Sequence, residues 1–527
     1  MAKMTATELV AHLQRGEITA VQALLYFAAM AAESHRRYNC LTNVMFPGAL
    51  ARAVELDRIF KETGRPVGIL HGLPISIKEC ISVKGTYATA GLVHFMNAVS
   101  EDDAPIVKLL RNAGALIYVK TNIPQTMLIS DCSNPIYGRT LNPFNPERTS
   151  GGSSGGEGVL VASGGSPLGI GTDIGGSIRM PASWCGGFGM MPSAGRISRE
   201  ALAPEVFPGI EALIATCGPI VQTPEDAALI YRVLCGSAQN AADALAPPIV
   251  FDEAKYSSIK PLVIGYFIDD GHFTPSNASQ RAVMEAVEAL KAKGHTLVQF
   301  QPHNVKEVIS WFFTYMTGDG EWNMRPVLAR EHIDPCIANV WQGMTLPWLF
   351  RLIVKGLFGA IGWGRLANVI PIRSGSAEFE HRTSSARGQY VRELISRMKA
   401  AELDAIICPG AAVPAPKHNQ SQFMTPALAY TYFWNVVRFP AASLAVTTVK
   451  EEDLKQPARL VADLTDMVAN RNDVGSEGLP IAVQITSYPW NDETILRVAN
   501  DLAHLRPDAP QKLRSSMAAS LPRSPPQ

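Results

Sequence analysis

Short runs of consecutive apolar residues at 67–71, 115–119, 261–267, 295–300, 404–408, 442–448 and 479–485 predict buried β-strands. Between several of them the apolar positions change to a spacing of three and four, which predicts helices over 105–113, 278–293 and 491–504. A further helix start stands at Thr223-Pro-Glu-Asp, with Thr223 as cap and Pro224 at the first helical position. Residues 5–33 carry helical spacing of Leu, Val and Ala behind a Thr5-Ala-Thr-Glu8 start that resembles a capping box, and this helix is expected to pack outside the core. Strands alternating with helices predict an α/β body with a mixed central β-sheet sandwiched between helices. The expected organisation is an N-terminal helix over 1–35, a single large domain over 36–505, and a mobile tail over 506–527, which is rich in Pro and Ser and poor in large apolar residues.

One apolar stretch does not fit the strand pattern. Residues 341–370 include Leu346-Pro-Trp-Leu-Phe-Arg-Leu-Ile-Val-Lys-Gly-Leu-Phe-Gly-Ala-Ile-Gly-Trp-Gly-Arg365. A spanning helix would place Arg351 and Lys355 in hydrocarbon at roughly 2.5–3.5 kcal/mol each, and Pro347 with its glycines would weaken it further. A transmembrane reading is therefore rejected. Trp341, Trp348 and Trp363 with aliphatic residues between them and cations along one side describe an element lying in a membrane interface. A buried helical hairpin at a dimer contact is the alternative.

Composition narrows the partners. The 527 residues carry 47 basic and 47 acidic side chains with no basic run, so nothing points to nucleic acid, and the substrate is expected to be neutral. Eight cysteines show no C-x-x-C and no pairing with histidines, which indicates neither zinc nor a disulfide framework and fits a reducing compartment. The start Met-Ala-Lys-Met-Thr-Ala-Thr-Glu has no long apolar run, so neither a signal peptide nor an N-terminal anchor is expected. The expected location is intracellular, cytoplasmic or peripheral on an internal membrane.

The candidate chemistry lies in two glycine-dense segments, Gly151-Gly-Ser-Ser-Gly-Gly-Glu157 and Gly171-Thr-Asp-Ile-Gly-Gly-Ser-Ile-Arg-Met-Pro181. Glycines around a serine let several N–H groups converge on one point, where an anionic oxygen is stabilised. The N–H groups of Ile174, Gly175, Gly176 and Ser177 are candidate donors to the oxyanion of an acyl transfer, with Ser177 as nucleophile. A serine hydroxyl needs a base. No histidine falls between His94 and His272, whereas Lys78 ends the apolar segment His71-Gly-Leu-Pro-Ile-Ser-Ile-Lys-Glu79, expected to be a buried strand. Burial disfavours the ammonium and makes a lysine a usable base, with Ser153 placed to carry the proton between Ser177 and Lys78. Gly151 to Gly155 also fits the G-x-S-x-G elbow, but the residues before it, Asn142-Pro-Phe-Asn-Pro-Glu-Arg-Thr-Ser150, read as loop where an elbow needs a strand. A phosphate loop is disfavoured because no Gly-Lys-Ser/Thr ending follows.

These residues resemble the amidase signature family, whose catalytic unit is a Ser-Ser-Lys triad. Its lysine corresponds to Lys78, its bridging serine to Ser153 and its nucleophile to Ser177. Further segments, Lys120-Thr-Asn-Ile-Pro-Gln-Thr-Met-Leu, Asp131-Cys-Ser-Asn-Pro-Ile-Tyr-Gly, Ala445-Val-Thr-Thr-Val and Gly478-Leu-Pro-Ile-Ala-Val-Gln with Pro489-Trp, are similar to the fatty acid amide hydrolase branch. The resemblance implies a cis Gly152–Ser153 peptide, Met127 lining the site beside the oxyanion donors, and Asp173 and Arg179 holding the glycine loop; plain structural support is the alternative for these last two. It also implies hydrolysis of neutral fatty acid amides such as N-acylethanolamines and primary fatty amides, a cap over 341–370 through which lipid enters, a homodimer, and no cofactor or metal. An amidase of small or aryl amides with the same triad is the alternative, and a lipid-binding protein without activity or a tRNA-charging amidotransferase subunit are weaker ones.

Overall fold

The computed structural model describes residues 1–204, 210, 212–317, 325–370 and 377–521. Among these, eleven strands form one mixed sheet: β1 (Leu41–Val44), β2 (Pro74–Lys78), β3 (Leu116–Thr121), β4 (Leu168–Asp173), β5 (Phe188–Met191), β6 (Thr216–Val221), β7 (Val263–Tyr266), β8 (Thr296–Gln299), β9 (Ala405–Pro409), β10 (Ala441–Thr448) and β11 (Pro480–Ser487). Their order is β1-β3-β2-β4-β6-β5-β10-β11-β9-β7-β8. The run β3-β2-β4 is parallel, the centre from β4 to β9 is antiparallel, and β9-β7-β8 is parallel again. Every residue of β2, β3, β4 and β6 is buried, as strands covered by helices on both faces must be.

Six of the apolar runs fall on β3 and β7 to β11, and the expected helices stand at Pro105–Asn112, Pro224–Leu234, Asn277–Ala292 and Asp492–Leu502. The run at 67–71 is a correction, because these residues form turns and the strand begins at Pro74. Leu70 and Gly72 donate their N–H groups to Ala113 and Gly114, and a side chain at Gly68 would meet the Ala113 backbone, so the segment is spent on closing against the C-terminal end of the helix Pro105–Asn112.

The N-terminal segment is two helices rather than one. The Thr5–Glu8 capping box starts Ala6–Gln14, Gly16 takes a left-handed φ of 71°, and Thr19 with Gln22 caps a second helix, Ala20–Tyr38. Leu9, Leu13, Leu24 and Phe27 belong to the main core, so these helices do not pack outside it. The stretch read as a mobile tail also differs. Pro510 lies in the first turn of a helix, Ala509–Ala519, whose Arg514 and Met517 are buried against the body, while 522–527 lie outside the described residues.

Residues 341–370 form parts of three short helices, Ala338–Thr345, Trp348–Ala360 and Gly364–Val369. Leu349, Phe350, Leu352, Ile353, Leu357 and Ile361 are exposed. The expected cations along that side are not there among the described residues: Arg351 is buried with Nε donating to Leu346 O at 2.7 Å, Lys355 Nζ donates to Ile370 O at 3.4 Å, and Arg365 pairs with Asp463 at 2.8 Å. Arg351 and Lys355 bond to carbonyls of the segment itself and Arg365 reaches carboxylates of the body, leaving the outer face to apolar side chains. No helix among the described residues is long and apolar enough to cross a membrane. All eight cysteines are unpaired and buried.

Candidate active site

Parallel pairing of β2 with β4 sets Ile77 opposite Ile170, so Lys78 and Thr172 emerge side by side at the C-terminal ends of adjacent strands. Lys78 Nζ lies 2.7 Å from Ser153 Oγ, 2.7 Å from Thr172 Oγ1 and 3.5 Å from Thr172 O. The side chain is fully buried, and desolvation holds its pKa below the ordinary lysine value. Lys120, on neighbouring β3, is equally buried and its pKa is pushed down to about 8 by desolvation. It donates to Tyr87 O at 2.6 Å and Thr86 Oγ1 at 3.3 Å, holding a turn. Burial depresses both lysines; the hydroxyl of Ser153 is what distinguishes Lys78.

Ser153 is delivered by a peptide that is cis at Gly152–Ser153, immediately before the helix Gly155–Ala162. Close packing requires the glycines here, since a Cβ at Gly152 would come within 2.5 Å of Ile129 O and one at Gly155 within 2.6 Å of Cys132 Cβ. In the first turn of that helix Glu157 reaches back under the sheet, accepting from Ser76 Oγ at 2.5 Å and Thr121 Oγ1 at 2.8 Å. Burial pushes its carboxyl up to about 8 against those hydrogen bonds. Glu79, next to Lys78, accepts from Thr89 N, Thr89 Oγ1 and Ala90 N and so fixes the 89–90 turn.

Asp173 and Arg179 shape the loop that carries Ser177. Asp173 Oδ1 accepts the Gly176 N–H at 2.7 Å and Oδ2 accepts the Ile178 N–H at 3.1 Å. Burial pushes the Asp173 carboxyl up, but the Arg179 guanidinium and the surrounding donors outweigh it and hold it below the ordinary range. Arg179 is itself held by Thr431 O, Gln484 Oε1 and Asn435 Oδ1. Gly176 has φ 112°, and a Cβ there would come within 2.6 Å of Thr431 Cβ. Of the four amides expected at the oxyanion, that of Gly176 is already drawn to Asp173, leaving those of Ile174, Gly175 and Ser177 as the candidates. Ser154 N donates to Ser177 O at 3.1 Å, tying the two glycine-rich segments together.

Ser177, Ile174, Gly175, Gly152 and Met127 line one cavity of about 560 Å³. Its other walls are Phe312, Met316, Leu346, Val354, Phe358 and Tyr432, among others, so it runs from the glycine loop to the three short helices. Phe312 and Tyr432 stack at 4.5 Å between ring centroids beside Gly175. Met127 has a φ of 62° and Thr126 one of 66°, left-handed values uncommon outside glycine, so the cavity wall here is held in a strained conformation. Among the described residues Ser177 Oγ has no hydrogen-bond partner, and its residue lines the cavity.

The structure thus brings Lys78, Ser153, Ser177, Met127, Ile174, Gly175, Gly176, Asp173 and Arg179 into one region. Sequence reasoning missed Thr172 and Glu157, although both stand inside the glycine-rich segments it singled out, and it missed the Thr431, Asn435 and Gln484 support behind Arg179.

A family model for amidases matches residues 22–496. Fatty-acid amide hydrolase 1 of Sus scrofa is 35% identical over 507 residues, covering 94% of this chain and 85% of that protein. An acetamidase of Emericella nidulans is 31% identical over 524 residues, covering 96% and 89%. The solved structure of a fatty acid amide hydrolase superposes with a TM-score of 0.83 at 27% identity, over 96% of this chain and 85% of that one. A match of this extent, on the fold and the glycine-rich loops just described, places the chain in the amidase signature family, and it is a hydrolase acting on amides.

Proposed function

We propose that this chain hydrolyses amides of long-chain fatty acids, with Ser177 as nucleophile, Ser153 as proton relay and Lys78 as base. The observation that carries the substrate class is the apolar cavity joining Ser177 to the helices between 338 and 369. Its volume and its many Phe, Met, Leu, Ile and Val side chains suit an aliphatic chain, with a minority of polar residues such as Asn339, Gln342 and Gln422 on the same wall. The names of the relatives support the same reading. Neutral Lys78 takes the Ser153 proton as Ser153 takes that of Ser177, and Ser177 Oγ attacks the amide carbon. The N–H groups of Ile174, Gly175 and Ser177 receive the oxyanion. The same relay then returns a proton to the leaving amine, without which a C–N bond cleaves poorly, and water releases the fatty acid from the acyl-enzyme.

The exposed Leu349, Phe350, Leu352, Ile353, Leu357 and Ile361 face, on and just after a helix whose Val354 and Phe358 line the cavity, supports contact with a lipid surface. Size in solution, by scattering, tests the homodimer. The test of the substrate class is release of fatty acid from anandamide, oleamide and acetamide by the wild type, Ser177→Ala and Lys78→Ala. Preferential cleavage of the long-chain amides is expected, lost in Ser177→Ala and strongly reduced in Lys78→Ala. The acetamidase relative makes small amides the second reading, and turnover of acetamide alone would select it.

A further inference from the structure

Ser153 accounts for one short contact of Lys78, and a second of the same length remains. Thr172 Oγ1 lies 2.7 Å from Lys78 Nζ and Thr172 O lies 3.5 Å from it, from a strand residue that the proposed chemistry does not use. We propose that Thr172 is the positioning residue of the lysine base: its hydroxyl and carbonyl oxygens hold the two N–H bonds of the neutral amine so that the lone pair is turned toward Ser153. This rests on the Ser177–Ser153–Lys78 reading above.

A neutral primary amine has two N–H bonds and one lone pair. With both Thr172 oxygens accepting, the remaining direction of the nitrogen meets Ser153 Oγ at 2.7 Å. Ser153 then donates its O–H to the lone pair, the polarity that a relay from Ser177 requires. When the Ser177 proton passes to Ser153 and the Ser153 proton passes to Nζ, the ammonium has three N–H bonds, and the same three oxygens accept them. One cradle therefore serves both protonation states, and no group has to move between them.

The nearby Cys80 Sγ, 3.9 Å from Thr172 Oγ1, can accept a hydrogen bond from the threonine O–H and leave the lone pairs of Oγ1 to the lysine. The cradle is uncharged. A catalytic base is ordinarily oriented by a third group, and for a lysine a carboxylate in that role would favour the ammonium and block the base. A threonine orients without that effect, so burial stays the dominant influence on Lys78. In the opposite arrangement Thr172 donates to the lone pair and occupies the base, so the two arrangements predict opposite effects of removing the hydroxyl.

The test compares full-length wild type, Thr172→Val and Thr172→Ser in kcat and kcat/KM against pH on an amide the wild type cleaves, with labelling of Ser177 by a fluorophosphonate and a thermal melt. Thr172→Val is expected to lower kcat about tenfold to a hundredfold with little change in KM, within what positioned acid–base catalysis contributes. It should also move the acid limb of kcat/KM to lower pH, because the ammonium loses an acceptor. Thr172→Ser, which keeps the oxygen, is expected to restore most of the rate and the limb. Wild-type or faster turnover in Thr172→Val overturns the proposal, as does equal impairment of the Val and Ser variants, which would mean packing rather than the hydroxyl. Thr172→Ala is read in the same way where Thr172→Val does not fold. Wild-type turnover in Ser177→Ala would remove the underlying reading and this inference with it. A dead Ser177→Ala beside an unimpaired Thr172→Val would remove the inference alone.

Discussion

Arg179 Nη2 stands 3.0 Å from Asp173 Oδ1 with both side chains sealed from solvent, and the same carboxylate takes the amides of Gly176 and Ile178 on either side of Ser177. Deleting one partner of such a pair leaves a buried charge uncompensated, which costs about 3–5 kcal/mol. Arg179→Ala is therefore expected to lower the free energy of unfolding by about that amount in urea denaturation. Material that still folds should label slowly with a fluorophosphonate, because the loop amides lose their anchor. Wild-type stability together with wild-type labelling would show that the pair shapes nothing.

The rate should depend on pH through Lys78. Its folded pKa lies below the ordinary lysine value, so the amine is neutral above that lowered pKa and the base is lost as pH falls through it. We expect kcat/KM to rise with pH to a plateau reached at lower pH than an ordinary lysine base would give, and Lys78→Ala to abolish this limb while lowering kcat by roughly 10²–10⁴. Stability follows the same sign: the unfolded chain binds a proton that the folded one resists, so folding weakens toward acid from this group. Lys78→Met is expected to gain stability relative to wild type as pH falls, measured by melting at a series of pH values.

Glu157 works in the other direction. Its folded carboxyl is held up at about 8 against an ordinary value near 4.5, so the unfolded state loses a proton that the folded state keeps. Between these two values the contribution of Glu157 to stability declines as pH rises, and it is lowest above about 8. Glu157→Gln keeps an acceptor for Ser76 and Thr121 and cannot ionise. A flatter melting profile over that range is expected; an unchanged slope would mean that Glu157 is ionised in the folded protein.

The apolar outer face of the helix Trp348–Ala360 gives a separable effect. Each large aliphatic or aromatic side chain buried in lipid contributes about 1.5–3 kcal/mol. A Leu349→Ser, Phe350→Ser, Ile353→Ser variant is expected to lose at least tenfold in co-sedimentation with phosphatidylcholine vesicles. Its KM for vesicle-borne oleamide should rise, and its turnover of a short soluble amide should stay as in the wild type. Equal losses on both substrates would point to a damaged fold.

The cavity itself can be narrowed. Val354→Trp fills the end of the cavity toward the short helices while leaving Ser177 and the glycine loop untouched. Cleavage of long-chain amides should fall by an order of magnitude or more and that of a two-carbon acyl amide should be spared, read from the ratio of their kcat/KM values.

What could be read from sequence follows from composition. Runs such as Ala441–Thr448 and Pro480–Ser487 are dense in aliphatic residues and stand out as strands. The central strands Leu168–Asp173, Phe188–Met191 and Thr216–Val221 do not, because Gly169, Gly171, Gly189, Gly218 and Pro219 read as turns. In the fold those positions carry close approaches: a Cβ at Gly189 would come within 2.6 Å of Ala182 Cβ. The site splits in the same manner. Ser153, Ser177 and Lys78 are visible because serines in glycine and a lysine ending an apolar run are unusual. Thr172 is an ordinary threonine until β2 and β4 pair, and the Arg179 partners Thr431, Asn435 and Gln484 lie too far along the chain to be paired by spacing. The outer face of residues 341–370 is legible as apolar but not in its charge, since only the folded segment shows Arg351 and Lys355 bonding to the carbonyls of Leu346 and Ile370.

The eight unpaired cysteines have a practical meaning. All are buried, and for Cys40, Cys132, Cys185, Cys217 and Cys408 desolvation raises the thiol far from the reactive thiolate range. They are spread from the first strand to the ninth, so a maleimide added to native enzyme finds little to modify until a region opens. The order in which the thiols become reactive is then a map, residue by residue, of which parts of the sheet come apart first.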